Sequence, residues 1–151
     1  MNMSLTASAD ALSPAAYRSL AEFRYQIRRF LHFSEQAARA EGLEPQQHQM
    51  LLAIRAWNRD DPEDHGPAIG QLAESMFIRH HSAVGLVDRM EEQGLAERIR
   101  GRHDRREVRV RLTPRGAKVL ERLASAHHAE LKNSGPQLVQ ALTVVLEGKP
   151  A

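Results

Sequence analysis

Residues 69–112 read IGQLAESMFIRHHSAVGLVDRMEEQGLAERIRGRHDRREVRVRL, and the period of this stretch changes once, near Leu95. The spacing predicts a short helix over about Ile69 to Ser75. A second runs over about Arg79 to Gln93, with Ala83, Leu86, Val87 and Met90 turned inward. Gly94 follows the last turn, where glycine often ends a helix. Only Met76 to Ile78 joins the two helices, and so short a connection forces a steep crossing, as in a helix-turn-helix. From Val108 the apolar residues alternate. Val108, Val110 and Leu112 are interleaved with Arg109 and Arg111, which describes a strand with one apolar and one cationic face. Leu95 to Arg100 is its expected partner, and Gly101 to Glu107 joins the two as an exposed cationic loop. Helix, tight turn, helix and basic hairpin, in that order, make a winged helix-turn-helix.

Outside this stretch the chain reads as helix. Ser13-Pro14 is a start signal, a cap residue followed by proline in the first turn. Leu20, Phe23, Ile27 and Phe30/Leu31 then recur at helical spacing, and the helix is expected to reach about Ala40 and stop at Gly42. A helix after Pro45 carries Met50, Leu51, Ile54 and Trp57 on one face. Asn58 to Pro67, rich in Asp, Pro and Gly, reads as a surface loop whose acids oppose contact with a polyanion. Thr113-Pro114 starts a helix with the seam Leu120, Leu123, His127, Leu131. Gly135-Pro136 starts a last one with Leu138, Val139, Leu142, Val145 and Leu146 on one side. The fold class is therefore mostly α with a small β-hairpin wing, from six helical segments. The terminal seams exceed what a winged helix needs for its own core, and a second copy is the economical cover, a partner protein the alternative. The expected organisation is a flexible leader (1–13), an N-terminal dimerisation helix (14–42), the winged helix-turn-helix domain (43–113) and C-terminal dimerisation helices (114–151).

Composition excludes several classes. The chain has 151 residues and no cysteine, so disulfides, a thiol nucleophile and thiol redox sensing are out. No apolar run approaches the roughly 20 residues that span a bilayer, and Met1 to Ser13 lacks the features of a secretory signal, so a cytoplasmic location is expected. The net charge of +2 hides an uneven distribution. Arg98 to Arg115 holds eight arginines against Asp104 and Glu107, while the remainder has 13 basic and 17 acidic residues. Such a block points to a polyanion. The second helix of the pair is about as wide as the DNA major groove. Arg79, His80, His81, Ser82 and, a turn later, Gly85 would face base edges there. The arginine-rich wing would reach an adjacent minor groove, where narrow width attracts arginine. There is no glycine-rich phosphate loop, no GxSxG and no paired acid and base, so no enzyme and no cofactor are expected. The His80-His81 and His127-His128 pairs are adjacent and point about 100° apart on a helix, so no metal site is expected either.

Several runs resemble one family. Gln71-Leu72-Ala73-Glu74, then Leu86-Val87-Asp88-Arg89-Met90-Glu91-Glu92-Gln93-Gly94-Leu95, then Asp104-Arg105-Arg106, then Leu112-Thr113-Pro114-Arg115-Gly116 are similar to the pattern of the MarR family of bacterial transcriptional regulators. The resemblance spans roughly residues 45 to 130. It implies a homodimer, a pseudo-palindromic double-stranded DNA operator, and repression relieved by a small, often aromatic, ligand. It implies that the wing residues Arg102, Asp104, Arg105 and Arg106 meet DNA, with Arg106 entering the minor groove and Asp104 holding it in place. It also implies an effector pocket between the dimer helices and the winged domain, with Phe23, Ile27, Phe30, His32, Met50, Ile54 and Trp57 as lining residues. Arg79 and Ala68 stand where many members carry helix-cap residues, and Gly85 stands where many carry a polar one. These departures bear on the operator sequence. The competing function is a winged helix that binds RNA or another protein. The Asp104/Arg106 wing together with the Arg79–Ser82 helix start favours duplex DNA.

Overall fold

Five helices and one hairpin form along the described chain. They are α1 (Pro14–Ala40), α2 (Pro45–Ala56), α3 (Ile69–Ser75), α4 (His80–Glu92), β1 (Ala96–Arg100), β2 (Val108–Leu112) and α5 (Pro114–Glu147). The structure is a computed structural model that describes residues 11–57, 66–101, 104 and 106–148. Most of the expected leader (1–13) and of the Asn58 to Pro67 loop lie outside the described residues.

The chain forms two compact units, residues 34–128 and residues 1–33 with 129–151. The first holds the winged helix-turn-helix. Its core joins Met50, Leu51 and Ile54 of α2, Leu72 of α3, Leu86, Val87 and Met90 of α4, Val110 of β2 and Leu123 of α5. The four residues expected to face inward from α4, Ala83, Leu86, Val87 and Met90, are all buried. Gly94 has φ +70 after α4, the left-handed position that a side chain disfavours. β1 and β2 pair antiparallel with Arg98 opposite Val110. The free edge of β2 takes a further bond, the Val110 amide donating to the Pro67 carbonyl at 2.9 Å.

Thr113 ties the hairpin to α5. Its hydroxyl accepts from the Gly116 amide (3.0 Å), capping the helix, and donates to the Gly94 carbonyl (2.6 Å). Its own amide donates to the Leu95 carbonyl (3.1 Å). Gly116 lies so close to that backbone that an added Cβ would collide with the Leu95 carbonyl oxygen. The Thr-x-x-Gly signature is thus a cap and a close approach made at one point.

The second unit contains the N-terminal part of α1 and the C-terminal part of α5. Ser13 caps α1, its hydroxyl accepting from the Ala16 amide at 3.2 Å. Ala141 and Gln26 are buried here. Tyr17, Leu20, Leu131, Val139, Leu142 and Leu146 are exposed.

One expectation is corrected. Gly135-Pro136 does not start a sixth helix, because α5 runs unbroken from Pro114 to Glu147 with Pro136 inside it. A mid-helix proline lacks its amide donor and crowds the carbonyl four residues earlier, here that of Lys132. Against this, the apolar seam keeps its phase. Leu131 and Leu138 are seven residues apart, close to two turns, so the residues before and after the proline share one face.

Candidate nucleic-acid interface

The start of α4 is built to present side chains outward. Arg79 adopts an extended conformation (φ −71, ψ 152) and precedes the first helical residue. Its carbonyl accepts from the Ser82 amide (3.0 Å) and the Ala83 amide (3.1 Å), while its side chain makes no cap. The first amides of a helix have no partner within it, and the dipole adds partial positive charge there. Arg79, His80, His81 and Ser82 are all exposed on this turn, and Gly85 is half-buried one turn later. A Cβ on Gly85 would meet only Arg89 Nη1, at 3.6 Å, so the position has room for a side chain.

The inward residues and the later turns fix the helix. Beyond the core contacts, Asp88 and Glu91 of α4 grip Arg98 of β1. The Arg98 guanidinium donates to Asp88 Oδ1 and to Glu91 Oε2, both at 2.7 Å, and its amide donates to Glu91 Oε1 at 2.6 Å. The acids of the Leu-Val-Asp-Arg run and the turn after it therefore set the hairpin against α4. Sequence reading placed them in a family motif without assigning this role, and their spacing of three residues, one helical face, was the available signal.

The basic block is less free than its composition suggests. Arg98 is held as described, Arg109 pairs with Glu107 and donates to the Gly66 carbonyl (3.1 Å), and Arg111 Nε donates to Glu97 at 2.6 Å. The cationic face of β2 is thus an ion-paired face. At the wing tip Asp104 shapes the main chain. Its Oδ1 accepts from the Arg106 amide (2.9 Å), and its carbonyl accepts from the Glu107 amide (3.0 Å). The acid orders the backbone that carries Arg106, an exposed residue. Arg102 and Arg105 lie outside the described residues.

The candidate effector residues do not gather in one unit. Phe23, Ile27, Phe30 and His32 are on the second unit's part of α1, with His32 exposed. Met50 and Ile54 belong to the core of the winged unit, and Trp57 caps the end of α2. A cleft of about 410 Å³ lies within the unit of α1 and the end of α5, lined by Ser19, Glu22, Gln26, Pro136, Gln137, Gln140, Ala141 and Val144. None of the expected effector residues lines it. Among the described residues no cluster of three His, Asp or Glu could hold a metal ion. No helix among them is long and apolar enough to cross a membrane.

A histidine pair sits inside the winged unit. The His48 and His127 rings are 4.7 Å apart. His127 bonds the Leu123 carbonyl through Nδ1 (2.7 Å) and Ser34 Oγ through Nε2 (2.9 Å). A carbonyl only accepts, so Nδ1 donates to it, while the Ser34 hydroxyl can give or take the bond at Nε2. His48 is buried, and its Nδ1 has no hydrogen-bond partner. Burial first, and then the charge of His127, hold the His48 pKa below its ordinary 6.5.

Comparison with known proteins adds to this geometry. The model of the MarR family matches residues 41–107. The chain is 34% identical over 119 residues to the transcriptional activatory protein BadR of Rhodopseudomonas palustris, covering 78% of this chain and 65% of BadR. More broadly, the matches span from 44% to 65% of the length of the curated relatives. Among solved structures, a mutant of Staphylococcus aureus MepR bound to an oligodeoxyribonucleotide has a TM-score of 0.64 at 18% identity, covering 87% of this chain and 96% of that one. CouR from Rhodococcus jostii, bound to p-coumaroyl-CoA, has a TM-score of 0.66 at 20% identity, covering 88% of this chain and 95% of that one. The helix-turn-helix and the Asp88/Glu91 grip on the wing lie inside the stretch that the family model matches, and over that stretch the chain is similar to the MarR family.

Proposed function

We propose that the protein is a sequence-specific, double-stranded-DNA-binding transcriptional regulator that acts as a homodimer. One observation carries this reading. The first turn of α4 exposes Arg79, His80, His81 and Ser82 together, while its inward residues are fixed to the core and its later turns to the wing. Arginine and histidine there would reach base edges in the major groove, and the open amides of the turn would donate to a phosphate oxygen. Arg106, whose amide is held by Asp104, would enter the adjacent minor groove. The DNA-bound MepR structure supports this mode, and the ligand-bound CouR structure supports a small-molecule effector. Repression relieved by an aromatic ligand is the regulatory scheme we favour. BadR, described as an activatory protein, is the reason to measure the sign of regulation directly.

The test is selection from a random duplex pool with purified protein at near-physiological salt. The expected result is an enriched two-fold-symmetric site with half-site centres about 10 bp apart. Binding without enrichment that vanishes steeply as salt rises would reduce the protein to a generic polyanion binder. Preference for structured RNA over every duplex would favour the RNA-binding alternative. On the selected site, Arg106→Ala should weaken binding about tenfold with unchanged thermal stability, the size of about 1.4 kcal/mol of lost contact. Unchanged affinity would remove Arg106 from the interface.

A further inference from the structure

Phe77 stands in the turn between α3 and α4, with φ +55 and 98% of its surface exposed. Both features work against stability. A bulky side chain in the left-handed region is strained, and glycine would fill the position without cost. Exposure of the whole ring forgoes its burial. The surroundings hold it there. The Met76 amide donates to the Leu72 carbonyl (3.0 Å), the Phe77 amide to the Glu74 carbonyl (3.2 Å) and the Ile78 amide to the Ala73 carbonyl (3.0 Å). Met76 and Ile78 on either side pack against the core, so the backbone between them has no freedom to turn the ring inward.

The ring lies two residues before Arg79, at the end of α4 that carries the candidate base-reading residues. Base edges in the major groove present hydrogen-bonding groups and one apolar group, the 5-methyl of thymine. We propose that Phe77 is a specificity-determining DNA contact that packs on a thymine 5-methyl group beside the bases met by the first turn of α4. This inference rests on the DNA-binding reading above and extends it to a residue in the turn.

The experiment measures affinity for the selected duplex site, with thymine or deoxyuridine at each T position of one half-site. It compares the natural protein with Phe77→Gly and Phe77→Ala. The natural protein should lose about fourfold in affinity at one deoxyuridine position, the factor expected for burying one methyl group. Both variants should bind the thymine site at least that much more weakly, and neither should distinguish thymine from deoxyuridine there. Phe77→Gly should also melt at a higher temperature than the natural protein, because it relieves the strain, so stability and affinity move in opposite directions. Equal affinity of all three proteins for the thymine site would overturn the proposal while leaving the DNA-binding reading intact. Weakening by Gly but not by Ala would assign the effect to backbone freedom and overturn it as well. A natural protein that binds no duplex at all would overturn the reading beneath it.

Discussion

At the residue scale, two side chains hold more than their exposure implies. Thr113 caps α5, bonds the turn after α4 through Gly94, and donates its amide to the Leu95 carbonyl. Thr113→Ala removes the first two together, and the expected loss is about 1–2 kcal/mol. For a chain of this size that corresponds to a fall in Tm of roughly 2–4 °C per kcal/mol. Thr113→Ser, which keeps the hydroxyl, should recover most of it, and equal melting of the two variants would deny the cap. His48 gives a pH signature. Its folded-state pKa is lowered from 6.5, so below that pH the unfolded chain binds the proton more readily than the folded one. Stability from this site is therefore complete above about pH 6.5 and falls as the pH drops toward the lowered folded value. The partner across from it is His127, and a charge on that ring adds repulsion at 4.7 Å. Denaturant unfolding between pH 8 and pH 5 should show this decline, and His48→Gln should flatten it. A natural protein with the same slope as the variant would mean that the buried ring is not held neutral. The sequence placed His127 on an apolar seam, and its two bonds engage both ring nitrogens. It held no hint of His48, because a contact between α2 and α5 is invisible to periodicity.

At the element scale, the winged motif was legible almost throughout, and for definite reasons. The inward residues of α4 follow a 3.6-residue period, and Val110 and Leu112 of β2 a 2-residue period, while Val108, expected on the same face, is exposed at the start of the strand. The hairpin was read correctly as a pair, but its ion pairs were not legible. Arg98 and Arg111 found acids on neighbouring segments that a one-dimensional charge count cannot bring together, and Arg109 pairs with Glu107 two residues before it. The end of α5 was misread because a Gly-Pro pair outweighed an unbroken seam. That misreading yields its own test. If α5 is continuous, Pro136→Ala restores an amide able to donate to the Lys132 carbonyl and relieves the crowding, so the protein should gain stability, by at most about 3 kcal/mol. Helix content by circular dichroism should not fall. Were Pro136 instead the start of a separate helix, where its fixed φ is favourable, the alanine variant should be no more stable than the natural protein.

For the whole molecule, the remaining question is what covers the end unit. Tyr17 and Leu20 of α1 and Leu131, Val139, Leu142 and Leu146 of α5 are between 40% and 76% exposed in the single chain. Scattered apolar side chains are normal on a surface, but these recur on two helices of one unit, at the spacing that elsewhere in the same helices marks the buried side. A two-fold dimer would cover both sets with one self-complementary patch, and it would also give two recognition helices to one operator. Two copies would read half-sites about 34 Å apart, which no single copy can do. Sedimentation should therefore show a dimer for the natural protein. Leu131→Arg combined with Leu142→Arg should give a monomer, because each dimer would otherwise bury four unpaired guanidinium groups. The winged unit has a core of its own, so the monomer should keep cooperative unfolding and bind a single half-site weakly. Its affinity for the two-fold site should fall to the level of that half-site. A natural protein that sediments as a monomer at high concentration, yet selects a two-fold DNA site, would move the dimer contact onto the DNA itself and leave the exposed faces of α1 and α5 to another partner.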